Sequence, residues 1–372
     1  MLASLPDYPW DQMVPYATRA RSHADGIVDL SIGSPVDVTP ELIRRALAEA
    51  TDAHAYPQTA GTPQLQRAIV DWYERRRGVS GLTEKNVLPT IGSKELVALL
   101  PFMLGIGEGD TIVHPRAAYP TYAIGAAIAG ADALASDDPA EWPASTRLIW
   151  LNSPGNPDGR VLTVDELRAA VRRARELDAV IVSDECYAEL GWDGPWATEP
   201  IPSILDPRVI EGSRHNVLAI YSLSKQSNLA GYRAAFAAGC STLLARLLTV
   251  RKHAGLMLPA PLQHAMVTAL GDDVHVAEQK ERYRARRNVL LPALLDAGFR
   301  IDNSEAGLYL WATEGVDAWT SIDRLADLGI LAGPGPFYGD FFPKHVRFSL
   351  TATDERIAAA ADRLRAVSVE NI

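Results

Sequence analysis

Residues 147–184 alternate between apolar runs and a helical pattern, and this alternation constrains the fold more than any other feature of the sequence. The runs 147–152 (RLIWLN) and 179–184 (AVIVSD) are typical of strands buried on both faces of a parallel sheet. Between them, Thr163 and Glu166 are spaced close to a capping box and begin a helical stretch that continues to Leu177. A strand, a helix and a second strand form a β-α-β unit, so the sequence predicts an α/β fold with a mostly parallel sheet.

The same two patterns extend along most of the chain. Helices are predicted at residues 40–51, 63–77 and 93–104, and strands at 111–114, 217–222 and 234–238. Long helical stretches follow from residue 242 to about residue 295. Further on, short strands at 299–301, 308–312, 330–332 and 346–350 alternate with helices near 321–328 and 354–367, which predicts a separate small α+β domain. The Pro-rich stretch 193–207 is predicted to be a surface loop.

Composition and charge exclude several classes of function. The 36 Lys and Arg residues stand against 46 Asp and Glu residues, a net charge of −10, and without a basic stripe we expect no nucleic-acid partner. Cys186 and Cys240 are too few for a disulfide framework or a Cys-rich zinc site, and the eight histidines show no ligand spacing, so we expect no metal. No segment reaches the roughly 18 apolar residues of a membrane span. The first residues lack the pattern of a signal peptide, so we expect a cytoplasmic protein.

Lys225 follows an apolar run, residues 217–220, that is typical of a buried strand. The hydroxyls of Ser222 and Ser224 come three residues and one residue before it, and Arg233 comes eight residues after it. A lysine at a strand end, among groups that can bind phosphate, can form a Schiff base with an aldehyde cofactor. The alternative is a surface lysine in a polar loop.

Asp184 ends the second strand of the β-α-β unit, and the carboxyl ends of parallel strands are where α/β sheets bind ligands. A poorly solvated carboxylate there needs a positive partner, and a protonated pyridine nitrogen would serve. Tyr187, three residues on, could donate to a phenolic oxygen of the same ligand. The alternative for Asp184 is the cap of a helix.

In the segment 152–159 (NSPGNPDG), two prolines and two glycines favour an irregular backbone that would aim Asn156 at the ligand, although an ordinary turn would explain Pro and Gly equally well.

A phosphate site is predicted where Gly92, Ser93 and Lys94 begin a helix. Glycine permits close approach, and the free backbone N–H groups and the helix dipole favour an anion. Arg233 and Ser222 could complete the shell, the arginine through forked, charge-assisted hydrogen bonds.

Two further residues could contact the cofactor or the substrate. Tyr119, just after a strand, could stack on a pyridine ring, although a core tyrosine is the alternative. Arg347 alternates with apolar residues in a predicted strand, so it must be paired. A substrate carboxylate is one partner and a structural salt bridge is the other.

The order of these features, from the phosphate loop through Tyr, Asn, Asp-x-x-Tyr and Ser-x-Ser-Lys to the two arginines, resembles the fold-type I pyridoxal-phosphate (PLP) aminotransferases of class I/II over nearly the full chain. The runs MLASLPDYPWD, SLSKQSNLAGYR and RKHAGLMLPAPLQ are similar, more specifically, to the actinobacterial-type N-succinyldiaminopimelate aminotransferases. The resemblance implies a large PLP-binding domain, residues 46–275, with a mostly parallel central sheet flanked by helices. It also implies a small α+β domain built from residues 1–45 and 276–372.

The resemblance assigns roles to the residues of the predicted site. The catalytic residues would be Lys225, which carries the cofactor and moves a proton, Asp184, which holds the pyridine N–H, and Tyr187. The cofactor would also be bound by the backbone amides of Ser93 and Lys94, by Tyr119, Asn156, Ser222 and Arg233, and by Tyr56, which would reach the phosphate of a neighbouring subunit. The substrate carboxylate would be received by Gly33, Asn156 and Arg347. A homodimer with shared sites is therefore expected.

The expected reaction is amino transfer between L-glutamate/2-oxoglutarate and N-succinyl-LL-2,6-diaminopimelate/N-succinyl-2-amino-6-oxopimelate. The alternatives are a transaminase for aspartate or an aromatic amino acid, a PLP-dependent C–S β-lyase, and a regulatory binding protein that keeps the fold. Three positions depart from the family pattern: Ser34-Pro35, Asp158 and the run Ala234-Ala235-Phe236. Lys252 and His253 are candidates for binding the distal carboxylate, and residues 25–38 are expected to gate the site.

Overall fold

The structure is a computed structural model that describes residues 5–370. Its strands are β1 (Val28–Asp29), β2 (Val87–Ile91), β3 (Thr111–His114), β4 (Asp132–Ala135), β5 (Thr146–Asn152), β6 (Val180–Asp184), β7 (Val217–Ser222), β8 (Ala234–Gly239), β9 (Arg300–Ile301), β10 (Tyr309–Thr313), β11 (Ile330–Leu331), β12 (Gly333–Pro334) and β13 (His345–Ser349). Its α-helices are α1 (Val14–Arg21), α2 (Glu41–Glu49), α3 (Pro63–Arg77), α4 (Gly92–Leu104), α5 (Thr121–Ala129), α6 (Val164–Glu176), α7 (Pro207–Ile210), α8 (Leu223–Gln226), α9 (Ser241–Ala254), α10 (Ala260–Gly271), α11 (Val274–Asp296), α12 (Ala318–Asp327) and α13 (Asp354–Glu370).

A sheet of seven strands, in the order β2-β8-β7-β6-β5-β3-β4, is the central element. Neighbouring strands from β7 to β4 are parallel, whereas β8 runs antiparallel to both β7 and β2. The register pairs Asn152 with Asp184 and Asp184 with Ile220, so the carboxyl ends of β5, β6 and β7 lie side by side. The predicted α/β class with a mostly parallel sheet is confirmed, and this carboxyl edge is where such sheets bind ligands.

Side chains alternate across this sheet and build a separate core on each face. Ile149 and Ile181 belong to the layer that includes α3, α6 and α10. Leu148, Trp150 and Val182 belong to the opposite layer, which includes α4, α5 and α9. Because both faces are covered, β5 and β6 are almost continuously apolar in sequence.

Two smaller sheets involve the end of the chain. One is antiparallel, in the order β12-β13-β10-β9, and in the other β1 pairs in parallel with β11. Side chains of these strands share a third core with α1, α11, α12 and α13. The domain limits predicted at residues 45/46 and 275/276 fall within α2 and α11, and the division stays a prediction.

Four strands were not predicted from the sequence, namely the two-residue strands β1 and β12 and the longer strands β2 and β4. Both β2 and β4 lie at edges of the seven-stranded sheet. Pro89 sits inside β2 and argues against a strand in sequence terms, but an edge strand tolerates proline because one side of it has no ladder partner.

The prediction of a surface loop at 193–207 is wrong for its second half, because residues 201–206 are buried. The Ser203 hydroxyl and the Ile204 N–H donate to the Glu185 carboxylate, at 3.0 and 2.8 Å. Arg77 pairs with the same carboxylate at 3.2 Å. A buried carboxylate needs such donors, so the segment is held inside.

Over residues 5–370, none of the helices has both the length and the apolar character that crossing a lipid bilayer requires.

Candidate active site

A cavity of about 640 Å³ opens at the carboxyl edge of the seven-stranded sheet. Its lining includes eleven of the residues that the sequence singled out, which are Gly33, Ser93, Lys94, Tyr119, Asn156, Asp184, Tyr187, Ser222, Lys225, Arg233 and Arg347. Tyr56 is the exception: it lies outside this lining and its side chain is 96% exposed. The strand ends therefore bring together residues that are spread over more than 300 positions of the chain.

Asp184 is 6% exposed at the end of β6, and burial raises the pKa of its carboxyl. The carboxylate accepts hydrogen bonds from the Tyr122 hydroxyl at 3.0 Å and from the Cys186 N–H at 3.2 Å. Among residues 5–366, whose side chains are described, no basic group forms an ion pair with it. A buried carboxylate with neutral donors alone is a ready partner for a protonated ring nitrogen.

Tyr122 is a site-supporting residue that the sequence analysis missed. It is fully buried on α5, and its ring stacks on Trp150 with the ring centroids 5.2 Å apart. It lies one helical turn from Tyr119 in the run Tyr119-Pro-Thr-Tyr122, which is the only signal that the sequence offers.

Lys225 lies on α8, directly after β7, and its Nζ donates to the Gly33 carbonyl oxygen. Burial lowers the pKa of the Lys225 ammonium, and the nearby guanidinium groups of Arg347 and Arg233 lower it further. A lowered pKa increases the fraction of neutral amine, which is the nucleophilic form.

The first turn of α4 and the Arg233 side chain form an anion cradle. Gly92 has a φ of +72°, and a β-carbon there would overlap the Arg233 guanidinium, so only glycine fits. Arg233 donates to the Ala230 carbonyl oxygen at 2.7 Å and forms no ion pair within the described residues. The Ser222 and Ser224 hydroxyls lie 2.8 Å apart beside it. Free amides, two hydroxyls and an unpaired guanidinium are suited to a phosphate.

Arg347, on β13, is 3% exposed and also lacks a carboxylate partner within residues 5–366. Its Nη1 donates to Asn156 Oδ1 at 2.8 Å and its Nη2 donates to the Ser31 carbonyl oxygen at 2.6 Å, whereas its Nε has no partner. The guanidinium lies 3.9 Å from the ring centre of Tyr309. The structure therefore contains no salt bridge of the kind that the sequence left open, and a substrate carboxylate would complete the site.

The two asparagines of the 152–159 loop have different tasks. Asn152 holds the loop: its Nδ2 donates to the Pro154 and Asp184 carbonyl oxygens at 3.0 and 2.9 Å, and its Oδ1 accepts from the Asn156 N–H at 2.7 Å. Asn156 is thereby fixed with its side chain on Arg347.

Tyr309 is a second residue that the sequence analysis missed. Its hydroxyl lies 3.2 Å from the Tyr187 hydroxyl, and it packs so closely on Gly33 that a β-carbon there would overlap it. Burial acts to raise the pKa of Tyr309, but Arg347 and Lys225 outweigh burial and lower it. Burial raises the pKa of Tyr187.

The outer part of the cavity is mostly apolar, with walls from residues 5–10 and from Ile32, Ile124 and Ile128. Lys94 is exposed at this rim, with its Nζ 6.0 Å from the ring centre of Tyr119. Lys252 and His253, the candidates for the distal carboxylate, are exposed near the end of α9 and do not line the cavity.

The segment 25–38, which we expect to gate the site, is anchored at one end and touches the cavity in the middle. Ile32, Gly33 and Ser34 line the cavity. Asp37 pairs with Arg286 on α11 at 2.6 Å. Whether the segment moves stays a prediction.

A lysine, an unpaired carboxylate and an anion cradle at the carboxyl edge of this sheet define a PLP enzyme of fold type I. The chain belongs to the class I and II aminotransferases, whose family model matches residues 25–364. It is therefore a PLP-dependent aminotransferase that acts on amino and oxo acids. The cavity fits the cofactor, because the Lys225 amine, the Asp184 carboxylate and the Arg233 guanidinium have no ion-pair partner among the described residues and would suit an aldehyde, a protonated ring nitrogen and a phosphate.

Three relatives illustrate the range of the family around this chain. It is 53% identical to 4-dedimethylamino-4-oxo-anhydrotetracycline transaminase from Streptomyces rimosus, over 98% of this chain and 100% of that protein. It is also 53% identical to a probable aminotransferase from Mycobacterium tuberculosis, over 97% of this chain and 86% of that protein. The structure of a probable N-succinyldiaminopimelate aminotransferase from Thermus thermophilus superposes with a TM-score of 0.85 at 30% identity, over 96% of this chain and 99% of that chain.

Proposed function

We propose that this aminotransferase transfers an amino group between L-glutamate/2-oxoglutarate and N-succinyl-LL-2,6-diaminopimelate/N-succinyl-2-amino-6-oxopimelate. The proposal rests on the cationic side chains of the cavity, which are Lys94, Lys225, Arg233 and Arg347. Lys225 and Arg233 serve the cofactor and Arg347 takes an α-carboxylate, which leaves Lys94 free at the rim. Each proposed substrate carries an α-carboxylate and a distant carboxylate, so two separate cations match its two charges.

The residues of the cavity divide the chemistry among them. PLP, when bound, supplies the aldehyde that takes up the amino group and the ring that withdraws electrons from the substrate Cα. The Lys225 amine accepts the proton from Cα and returns a proton to the cofactor side. Asp184 keeps the ring nitrogen protonated, and Tyr187 and Asn156 donate to the phenolic oxygen. Arg347 orients the substrate through its α-carboxylate so that the Cα–H bond faces Lys225.

A homodimer is part of the proposal. Tyr56 is almost fully exposed in the single chain and lies outside the cavity, so its side chain is available to a second subunit. In the proposed dimer, the Tyr56 hydroxyl donates to the phosphate bound by the other subunit. The anion cradle then gains a neutral donor that the single chain does not supply.

A second candidate is a transaminase for a bulky polycyclic ketone. The apolar outer walls of the cavity favour it, and the Streptomyces rimosus relative is named for a substrate of that kind. The Thermus thermophilus structure, in contrast, is named for the succinylated substrate. Lys94 discriminates between the two candidates, because a neutral polycycle does not need a second cation.

The test compares kcat/KM across amino donors for the parent enzyme and for Lys94→Ala. For the parent, N-succinyl-LL-2,6-diaminopimelate should exceed unsuccinylated diaminopimelate, aspartate and phenylalanine by roughly tenfold or more, since a charged contact contributes about 1.5–3 kcal/mol. Lys94→Ala should lower kcat/KM for the dicarboxylic substrates by a similar factor and leave that for alanine unchanged. Lys85→Ala, an exposed lysine outside the cavity, is the control.

Equal or better activity of the parent with aspartate or phenylalanine would eliminate the proposed substrate and leave the transaminase chemistry intact. If Lys94→Ala lowered kcat/KM for alanine and for glutamate by the same factor, Lys94 would not bind the distal carboxylate. Preference for a 4-oxo-anhydrotetracycline over the succinylated oxo acid would favour the second candidate.

A further inference from the structure

We infer that Tyr309 is a positioning residue that acts on the cofactor through Tyr187. The inference rests on the proposed contact between the Tyr187 hydroxyl and the phenolic oxygen of PLP. The two tyrosine hydroxyls lie 3.2 Å apart, both are buried, and both residues line the cavity.

The number of protons fixes the direction of this hydrogen bond. A tyrosine hydroxyl has a single hydrogen to donate. If Tyr187 donates its hydrogen to the cofactor, its oxygen can only accept from the neighbouring hydroxyl, so Tyr309 must be the donor. Three oxygens then form a chain in which each donor points toward the cofactor. Successive hydrogen bonds in a chain of this kind polarise and strengthen one another.

The surroundings of Tyr309 hold its hydroxyl in place for this task. The Arg347 guanidinium lies 3.9 Å from the centre of the Tyr309 ring, and this cation–π contact fixes the plane of the ring. On another side the hydroxyl packs against Gly33, where no side chain larger than hydrogen fits. The Gly33 carbonyl oxygen also accepts from Lys225, so the Tyr309 hydroxyl, Gly33 and the reactive amine form one packed unit.

The chain of donors has a measurable effect on the cofactor. With PLP bound, the nitrogen of Lys225 and the phenolic oxygen of the cofactor would share one proton, and the visible absorbance would change when that proton leaves. A hydroxyl that donates to the phenolic oxygen competes with the shared proton, so it lowers the pH at which the proton leaves. Tyr309 strengthens that donation and therefore lowers the pH at which half of the enzyme has lost the shared proton, the midpoint of the titration.

The experiment is a pH titration of the visible absorbance of the PLP-loaded parent and three variants. Tyr309→Phe keeps the ring on Arg347 and removes the hydroxyl, and its midpoint should rise by roughly 0.3–1 pH unit. Tyr187→Phe should raise it further, by about 1 pH unit or more. In the double variant the midpoint should equal that of Tyr187→Phe alone, because Tyr309 has no route to the cofactor without Tyr187.

The matched control is Tyr338→Phe. Its ring also lies over Arg347, with 4.7 Å to the ring centre, and its buried hydroxyl has no partner among the described residues. Its midpoint should stay at the parent value, whereas a general loosening around Arg347 would move it. A second measurement, the dissociation constant of PLP from each variant, distinguishes weaker cofactor binding from a change in the pH at which the shared proton leaves.

The outcomes distinguish this inference from the proposed function. If Tyr187→Phe shifts the midpoint and Tyr309→Phe does not, the relay is overturned and the role of Tyr187 stands. If the shifts of the two single variants add in the double variant, Tyr309 acts independently, and the relay is again overturned. If neither variant shifts the midpoint, the proposed contact of Tyr187 and the relay are both wrong.

Discussion

Replacing Tyr122 by Phe should weaken catalysis without touching the substrate, because the Tyr122 hydroxyl donates a hydrogen bond to the Asp184 carboxylate. The hydrogen bond is 3.0 Å long, fully buried, and ends on a carboxylate that forms no ion pair among residues 5–366. Hydrogen bonds to charged groups contribute about 1.5–3 kcal/mol, so the loss of this one raises the pKa of Asp184 further. Without Tyr122, the Asp184 carboxylate keeps a backbone donor, the Cys186 N–H at 3.2 Å, and becomes harder to ionise.

Two measurements follow from this reasoning. The half-reaction with L-glutamate, followed by the change in visible absorbance, should slow roughly tenfold, because an Asp184 that ionises less readily is a weaker source of the negative charge that stabilises the protonated ring nitrogen. The PLP-free variant should also be less stable to urea at pH 7. Burial raises the pKa of Asp184 in the folded state, so the folded protein is most stable when this group is protonated. That stability is lost as the pH rises through the folded pKa, and Tyr122→Phe should deepen the loss at neutral pH relative to pH 5.

Tyr73→Phe is the matched control, since Tyr73 is equally buried and its hydroxyl has no partner among the described residues. It should leave the half-reaction rate unchanged. The reasoning would be refuted by a Tyr122→Phe enzyme that reacts at the parent rate with unchanged stability. It would equally be refuted if Tyr73→Phe slowed the half-reaction as much.

Four further outcomes are expected. Borohydride reduction should fix the cofactor on Lys225, as found by peptide mapping, and Lys225→Ala should lose turnover but still bind PLP; an adduct on another lysine would contradict the assignment. Asp184→Asn should fold normally and lose about a hundredfold or more in kcat, so near-parent turnover would remove the pyridine-partner role. Mixing Lys225→Ala with Tyr56→Phe should restore some active sites in heterodimers, whereas a fully active monomer by light scattering would exclude shared sites. Burial raises the pKa of Asp158 to about 6. Its carboxyl therefore stabilises the folded state below about pH 4, and this contribution is lost as the pH rises through 6. The free energy of unfolding in urea should be about 1–2 kcal/mol higher for Asp158→Asn than for the parent at pH 8, and nearly the same at pH 4.

The sequence alone determined the fold class and most of the candidate site, because the decisive signals are local. Strands β5, β6 and β7 are apolar runs, and the polar residues that follow each of them are adjacent in sequence to the strand ends. Parallel strands bring their carboxyl ends to one edge whatever the helices between them do, so Asp184 and Ser222 had to lie near the ligand. The glycine that begins α4 and the lysine after β7 are likewise visible without knowledge of the packing.

Tertiary structure alone determined which residues hydrogen-bond to, or pack against, the side chains of the site. Tyr122 reaches Asp184 because α5 packs against the sheet, where the Tyr122 ring stacks on Trp150 of β5, and no spacing in the sequence reports that approach. Tyr309 reaches Arg347 because the antiparallel register sets Trp311 opposite Arg347 and Tyr309 opposite Ser349. The sequence of a strand of only five residues does not specify its register. The buried turn at 201–206 depends in the same way on a distant carboxylate, Glu185, that needs donors. Local patterns determine where a strand ends; the partners of a buried polar group depend on which segments fold against it, and that is a property of the whole chain.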